Sequence, residues 1–138
     1  MPTAKITINI TEFKAGSCCT IDRPVIKPGG GGNRVRYKNP GNPNDHTLVI
    51  KGKGAAPLDI EFTIPGFTPG PGAAPLTITG LNGPSNFKNQ QVSGSTVTIT
   101  DVFANVGAGA SWNYSISVLD GNNVQGLIDP PIENEQMD

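Results

Sequence analysis

The sequence predicts an all-β domain, a Greek-key β-sandwich of about 7–9 strands. Three observations lead there. Apolar and polar residues alternate repeatedly, as they do where a strand buries one face and successive side chains point to opposite sides. Thr, Val and Ile dominate those segments, and no window sustains the i, i+3, i+4, i+7 apolar spacing of a helix. Between them lie clusters drawn from 18 Gly and 13 Pro, residues that reverse a chain by permitting positive φ or by fixing φ.

The strands follow in order. Ile6, Ile8 and Ile10 alternate with Thr7, Asn9 and Thr11, and Cys19 to Arg23 is a second, shorter candidate. Val35 and Tyr37 alternate with Arg34, Arg36 and Lys38, which reads as a charged edge strand with Tyr37 facing inward. His46 to Lys51 comes next, then Leu58, Ile60, Phe62 and Ile64 against Asp59, Glu61 and Thr63. Leu76 with Ile78, Val97 with Ile99, and Trp112, Tyr114, Ile116 and Val118 continue the pattern, and Val124 to Ile128 closes it.

Turn chemistry separates these runs at Pro28 to Asn33, Asn39 to Asp45, Asn82 to Ser85, Gly107 to Gly109 and Asp120 to Asn123. Asp120-Gly121 is the strongest hairpin signal and joins the Trp112 strand to the Val124 strand. Residues 66–75 are too rich in Gly and Pro for a strand and are expected to form a surface loop or apolar flap. Residues 129–138 carry two Pro and four acids, which predicts a final edge strand at most and an acidic, frayed tail over 130–138.

At 138 residues the chain is one domain, 1–138, since two would each be too small for a good core. The longest uncharged stretch, Phe62 to Phe87, is broken by Gly and Pro, so no membrane span is expected. Met1 to Lys5 leads straight into the first strand without an apolar leader, and Cys18 and Cys19 are adjacent and cannot staple a long loop. A reducing, cytoplasmic setting is the expectation. The net charge is only −1, yet residues 1–53 hold nine of the ten Lys/Arg and three of the eleven Asp/Glu. The two parts should attract each other or a neighbouring copy.

The strand order with its Pro-Gly loop before Arg34 to Tyr37, the segment Asp45-His46-Thr47-Leu48-Val49-Ile50, and the closing Trp112 to Val118 strand resemble an immunoglobulin-like or cupredoxin-like sandwich. In blue-copper members of that fold a His stands at a position similar to His46, with a Cys, a second His and often a Met after the last Tyr-containing strand. Here that place reads Leu119-Asp120-Gly121-Asn122-Asn123, so no copper centre is implied. More narrowly, Asp120-Gly121, Asp129-Pro130 and Ile132-Glu133-Asn134 resemble small bacterial proteins of the DP-EP family, best over the C-terminal third. Glu133 is followed by Asn134, so the family's Glu-Pro pair is missing.

No residue set amounts to a catalytic site or cofactor pocket. Copper or zinc needs three or four converging ligands, and the chain has one His. His46 reads as a packing or hydrogen-bonding residue at a strand entry. Alternation sends the thiols of Cys18 and Cys19 to opposite faces, one buried and one exposed. Calcium has more donors on offer: Asn42, Asn44, Asp45, Asp120, Asn122, Asn123 and Asp129 from two loops, although Asn and Asp favour turns for local reasons. There is no G-x-S-x-G elbow, Gly29 to Gly32 lacks the Lys and helix of a phosphate loop, and Asp59 and Glu61 face solvent. Nucleic acid is not expected, because the basic residues lack exposed aromatics between them. The reading is therefore a non-enzymatic domain that acts by self-association or by binding a partner protein. The alternative is a small-ligand module for calcium or carbohydrate, the latter resting on Trp112 if that ring is exposed.

Overall fold

The computed structural model describes residues 3–27, 34–52, 57–72, 75–79, 87–103, 111–129 and 131–136. The Gly29 to Gly32 run, Lys53, Ala73 and Ala74, and the turn clusters at 82–85 and 107–109 lie outside the described residues. The described chain is all-β, with fourteen strand segments and no helix long and apolar enough to cross a membrane. They are β1 (Thr3–Thr7), β2 (Ile10–Glu12), β3 (Thr20–Ile21), β4 (Val25–Ile26), β5 (Val35–Tyr37), β6 (Leu48–Gly52) and β7 (Leu58–Thr63). Then come β8 (Thr68–Pro69), β9 (Leu76–Thr79), β10 (Phe87–Ser93), β11 (Thr96–Asp101), β12 (Ser111–Leu119), β13 (Gln125–Ile128) and β14 (Pro131–Gln136).

The count exceeds 7–9 mainly because longer runs are interrupted. β1–β2 and β3–β4 are the arms of one hairpin, with Ile6 opposite Ile26, Ile10 opposite Ile21, and the Asp22 N–H on the Asn9 carbonyl at 2.9 Å between them. β13 and β14 likewise face β12 in a single register, Ile116 opposite Ile128 and Asn113 opposite Pro131.

One sheet runs β10-β11-β7-β1-β4, with β1 parallel to β7. The other is built on β12, which takes β13 and β14 on one edge and β8 and β9 on the other; β14 continues to β6 in parallel, and β6 to β5. The alternating residues of both sheets meet in a common core: Ile6, Ile8, Ile60, Phe62, Ile64 and Val97 from one, Leu48, Ile50, Tyr114, Ile116, Val118 and Ile128 from the other. Phe62 and Tyr114 join the sheets at 4.9 Å between ring centroids. Each such side chain contributes roughly 1.5–3 kcal/mol by leaving water, which is why a one-residue slip in any of these strands is resisted.

Three expectations are corrected. Pro131–Gln136 is not an edge strand or frayed tail, because it pairs with β12 on one side and β6 on the other; a polar sequence suffices, since the ladder uses backbone groups. Residues 130, 137 and 138 lie outside the described residues. The Gly66 to Pro75 segment is not a free flap. Thr68 and Pro69 pair with Leu119 and Val118, the Gly70 N–H donates to Ser117 O at 2.9 Å, and Pro69, Gly70 and Pro75 are buried. Arg34 does not join Arg36 and Lys38 on a solvated strand face. It is buried at the entry to β5, with Nε donating to Lys51 O at 2.7 Å and the guanidinium 5.0 Å from the Phe103 ring centroid. Burial pulls its pKa below the ordinary value, and Asp101 pulls the other way.

Both flanks of the sandwich are tied. On one, the Tyr37 hydroxyl donates to Pro24 O at 2.8 Å, and Arg23 lies 3.7 Å from the Tyr37 ring centroid while donating to Pro40 O and Asn39 O at 3.2 and 2.7 Å. On the other, the Gln90 side chain of β10 hydrogen-bonds the Leu76 backbone of β9. β10 itself carries a bulge between Lys88 and Gln91, with Asn89 at φ 59°, a device that turns an edge away from further pairing.

Candidate functional site

Along the outer edge of β13 the segment Ser17–Cys19 runs parallel to the strand. The Gly16 N–H donates to Gln125 O at 2.7 Å, Leu127 N–H to Ser17 O at 3.0 Å, and Cys19 N–H to Leu127 O at 2.7 Å. Along the same edge of β14 the neighbour is β6. Just past the end of β13, at Asp129, the two neighbours part: the chain leaves through Thr20–Ile21 as β3, while Asn44, Asp45 and His46 lead into β6. Together Cys18, Cys19, Thr20, Ile21, Asn44, Asp45, His46 and Asp129 line a cleft of about 450 Å³.

Its chemistry is acidic and polar. Two carboxylates line it, and among the described residues no Lys, Arg, Phe, Tyr or Trp does. Asp45 is fixed by its loop: Oδ1 accepts the Thr47 N–H at 3.0 Å, Oδ2 accepts the Asn39 amide, and the Asn42 carbonyl takes the Asp45 N–H at 3.1 Å. These bonds, the one from Asn39 first and those from Thr47 next, with Lys38 adding a little, lower its pKa to about 2. Asp129 is exposed and His46 half-buried.

The cysteines differ. Cys18 is exposed, whereas Cys19 is half-buried, with Sγ accepting the Lys14 N–H at 3.4 Å. A Cβ built on Gly126 would stand 2.8 Å from that Sγ and 2.9 Å from Phe13 Cε1. Cys19 and Phe13 therefore plug the end of the core over Gly126, and Phe13 stacks on Phe67 at 5.5 Å. The thiols differ in exposure, but Cys19 is half-buried where alternation expects a buried thiol, and both residues border the same cleft.

The oxygen donors set out for calcium are divided by the fold. Asn44, Asp45 and Asp129 meet at the cleft, and Asn42 sits in the adjoining turn with its Oδ1 accepting the Asn44 N–H at 3.1 Å. Asp120, Asn122 and Asn123 lie at the opposite end of β13. There Asp120 Oδ1 accepts the N–H groups of Asn122 and Val124 at 2.8 and 2.9 Å. The two loops do not combine, because β13 separates them along its length. Among the described residues no group of three or more His, Cys, Asp or Glu is placed to hold a metal ion. The Trp112 side chain lies outside the described residues. Thr20 and Ile21 escaped the sequence reading as cleft residues, since nothing local marks them; only the parallel run of Ser17–Cys19 along β13 places them beside Asp129.

The hairpin at Asp120 forms as expected, with a different turn residue. Asn123 holds the positive φ of 61°, and Gly121 is not among the residues with positive φ. Compared with family models, with curated proteins and with solved structures, the chain matches none of them.

Proposed function

We propose that this domain is non-enzymatic and acts through its surface, by associating with a second copy of itself or with a protein of similar acidic surface. One observation carries the reading: the fold turns the uneven charge of the sequence into an uneven surface. β4 and β5, edge strands of the two sheets, are tied side by side through Tyr37 and Pro24. Arg23, Lys27, Arg36 and Lys38 therefore share one flank, with Lys27, Arg36 and Lys38 exposed. Val25, 47% exposed, is an apolar spot within it, and an apolar centre with a charged rim is the usual build of a protein interface. With a net charge of −1 there is little overall repulsion to keep copies apart. Kinship with the DP-EP family and a bacterial origin belong to the same proposal, on the strength of the Asp129-Pro130 step.

Carbodiimide cross-linking of mixed light- and heavy-isotope protein tests this. The expected product joins a flank lysine of one copy to a carboxylate of the other. An absence of mixed-isotope cross-links to itself, together with none to proteins of its own cell, would leave the surface without its role.

A small-ligand role is the second reading, favoured by the cleft's volume of about 450 Å³, within the roughly 300–1,000 Å³ of small-molecule sites. Among the described residues its lining lacks the Phe, Tyr or Trp platform that sugars stack on, so calcium is the form to test, by thermal shift with and without the ion.

A further inference from the structure

The cleft and the basic flank are neighbours on one strip of surface. Ile21 lines the cleft and Arg23, just beyond it, stacks on the flank. On the other side Lys38 donates its N–H to Thr47 O at 3.0 Å, next to His46 of the cleft. The strip therefore passes from cations to carboxylates within a few residues on both strands.

We infer that the cleft at Asp129 receives the basic flank of a second copy, closing a two-fold dimer. This rests on the self-association reading above and names the surface that accepts the flank. The cleft offers Asp45 and Asp129 to a guanidinium or ammonium group, and no Lys or Arg is among the described residues that line it. It is concave, so an inserted side chain loses water and gains more from the pairing than it would on an open face. Because flank and cleft adjoin, one two-fold axis between two copies places each flank on the other's cleft. Such a contact is isologous and stops at two, whereas a cleft remote from the flank would pair head to tail and continue into chains. Exposed Val25 lies in the same strip and is covered in the process.

Sedimentation equilibrium on the full chain and three variants tests the inference. Asp129→Asn removes a cleft charge at an exposed position and should weaken the dimer about tenfold or more. Lys27→Glu on the flank should do the same. Lys88→Gln removes a single charge from β10, at the opposite edge of its sheet from β4, and should leave the constant within about twofold. Far-ultraviolet circular dichroism and melting curves check that all three fold. If the unmodified chain is monomeric, the self-association reading fails and takes this inference with it. If it associates but Asp129→Asn and Lys88→Gln weaken it equally, or if association runs past two copies, only the cleft assignment is overturned.

Discussion

The Gln90 side chain occupies the place of a strand beside Leu76: its Oε1 accepts the Leu76 N–H at 2.8 Å and its Nε2 donates to the Leu76 carbonyl at 2.9 Å. Leu76 is buried in the core, so both of its backbone groups would otherwise be buried without partners at the edge of β9. Gln90→Ala should therefore lower stability by about 2–3 kcal/mol, read from urea denaturation.

Gln90→Glu separates donor from acceptor. A protonated carboxyl can reproduce both bonds, but a carboxylate has no proton for the Leu76 carbonyl, so the introduced group has its folded pKa raised. Its stabilising contribution is present below the unfolded pKa of about 4.3 and is lost as pH rises through the folded value. The variant should be close to the parent at acid pH and weaker at neutral pH. A stability difference that does not vary with pH would show that the Leu76 pairing does not form.

Tyr114 makes a complementary case. It is 1% exposed, and its hydroxyl has no hydrogen-bond partner among the described residues. Burial also pushes its pKa far above the ordinary value. Tyr114→Phe removes an unsatisfied polar atom and keeps the ring against Phe62, so it should be neutral or stabilising by up to about 1 kcal/mol. Chemical denaturation measures it, and a loss above about 1 kcal/mol would mean that the hydroxyl is bonded.

Gly126 lies under Cys19 Sγ and Phe13 Cε1, and an added Cβ would also meet the Lys14 carbonyl at 3.2 Å. Gly126→Ala should cost about 1–3 kcal/mol. The damage should appear first in the segment it supports, so amide exchange at Gly16 and Cys19 should quicken before that of the core strands.

At the β12–β13 hairpin the strain sits on Asn123, not on Gly121. Gly121→Ala should be tolerated, since a Cβ there meets nothing within 4 Å. Asn123→Ala should destabilise by about 1 kcal/mol and Asn123→Gly should not, because only the former pays for a positive φ. Melting temperatures of the three variants give the order.

Asp45 supplies a pH dependence. Its pKa of about 2 lies below the unfolded value, so its contribution is present above about pH 3.9 and is lost as pH falls towards the folded pKa. Asn39→Ala removes the first cause of that shift and should move the Asp45 titration upward, as followed by carboxyl NMR. An unmoved titration would show that the Asn39 bond is not what holds the cleft's rim.

How much of this was legible follows from where side chains had to choose a face. Ile6, Ile60, Phe62, Val97, Tyr114 and Ile116 alternate because each strand has one core side, and all are buried. β10 left no such trace: FKNQQVS is an edge strand with a bulge, and of its seven residues only Phe87 is buried. β14 was hidden for a related reason, as its acids were read as solvated while its backbone pairs on both sides. The cleft was legible only in part: Asn44, Asp45 and Asp129 group as oxygen donors in the sequence, but nothing there joins Thr20 and Ile21 to them. Cys18, His46 and Asp129 meet through a parallel contact between distant segments, and no local spacing encodes that contact. The basic first part of the chain was visible in the charge count, but its gathering on one flank depends on Tyr37 reaching Pro24.

Sedimentation velocity of the unmodified chain at micromolar concentration, in about 20 mM and about 1 M salt, tests the central claim most directly. The self-association reading expects a dimer in low salt that returns to monomer in high salt, since exposed ion pairs are screened there. A monomer at both concentrations, or a dimer indifferent to salt, would contradict it.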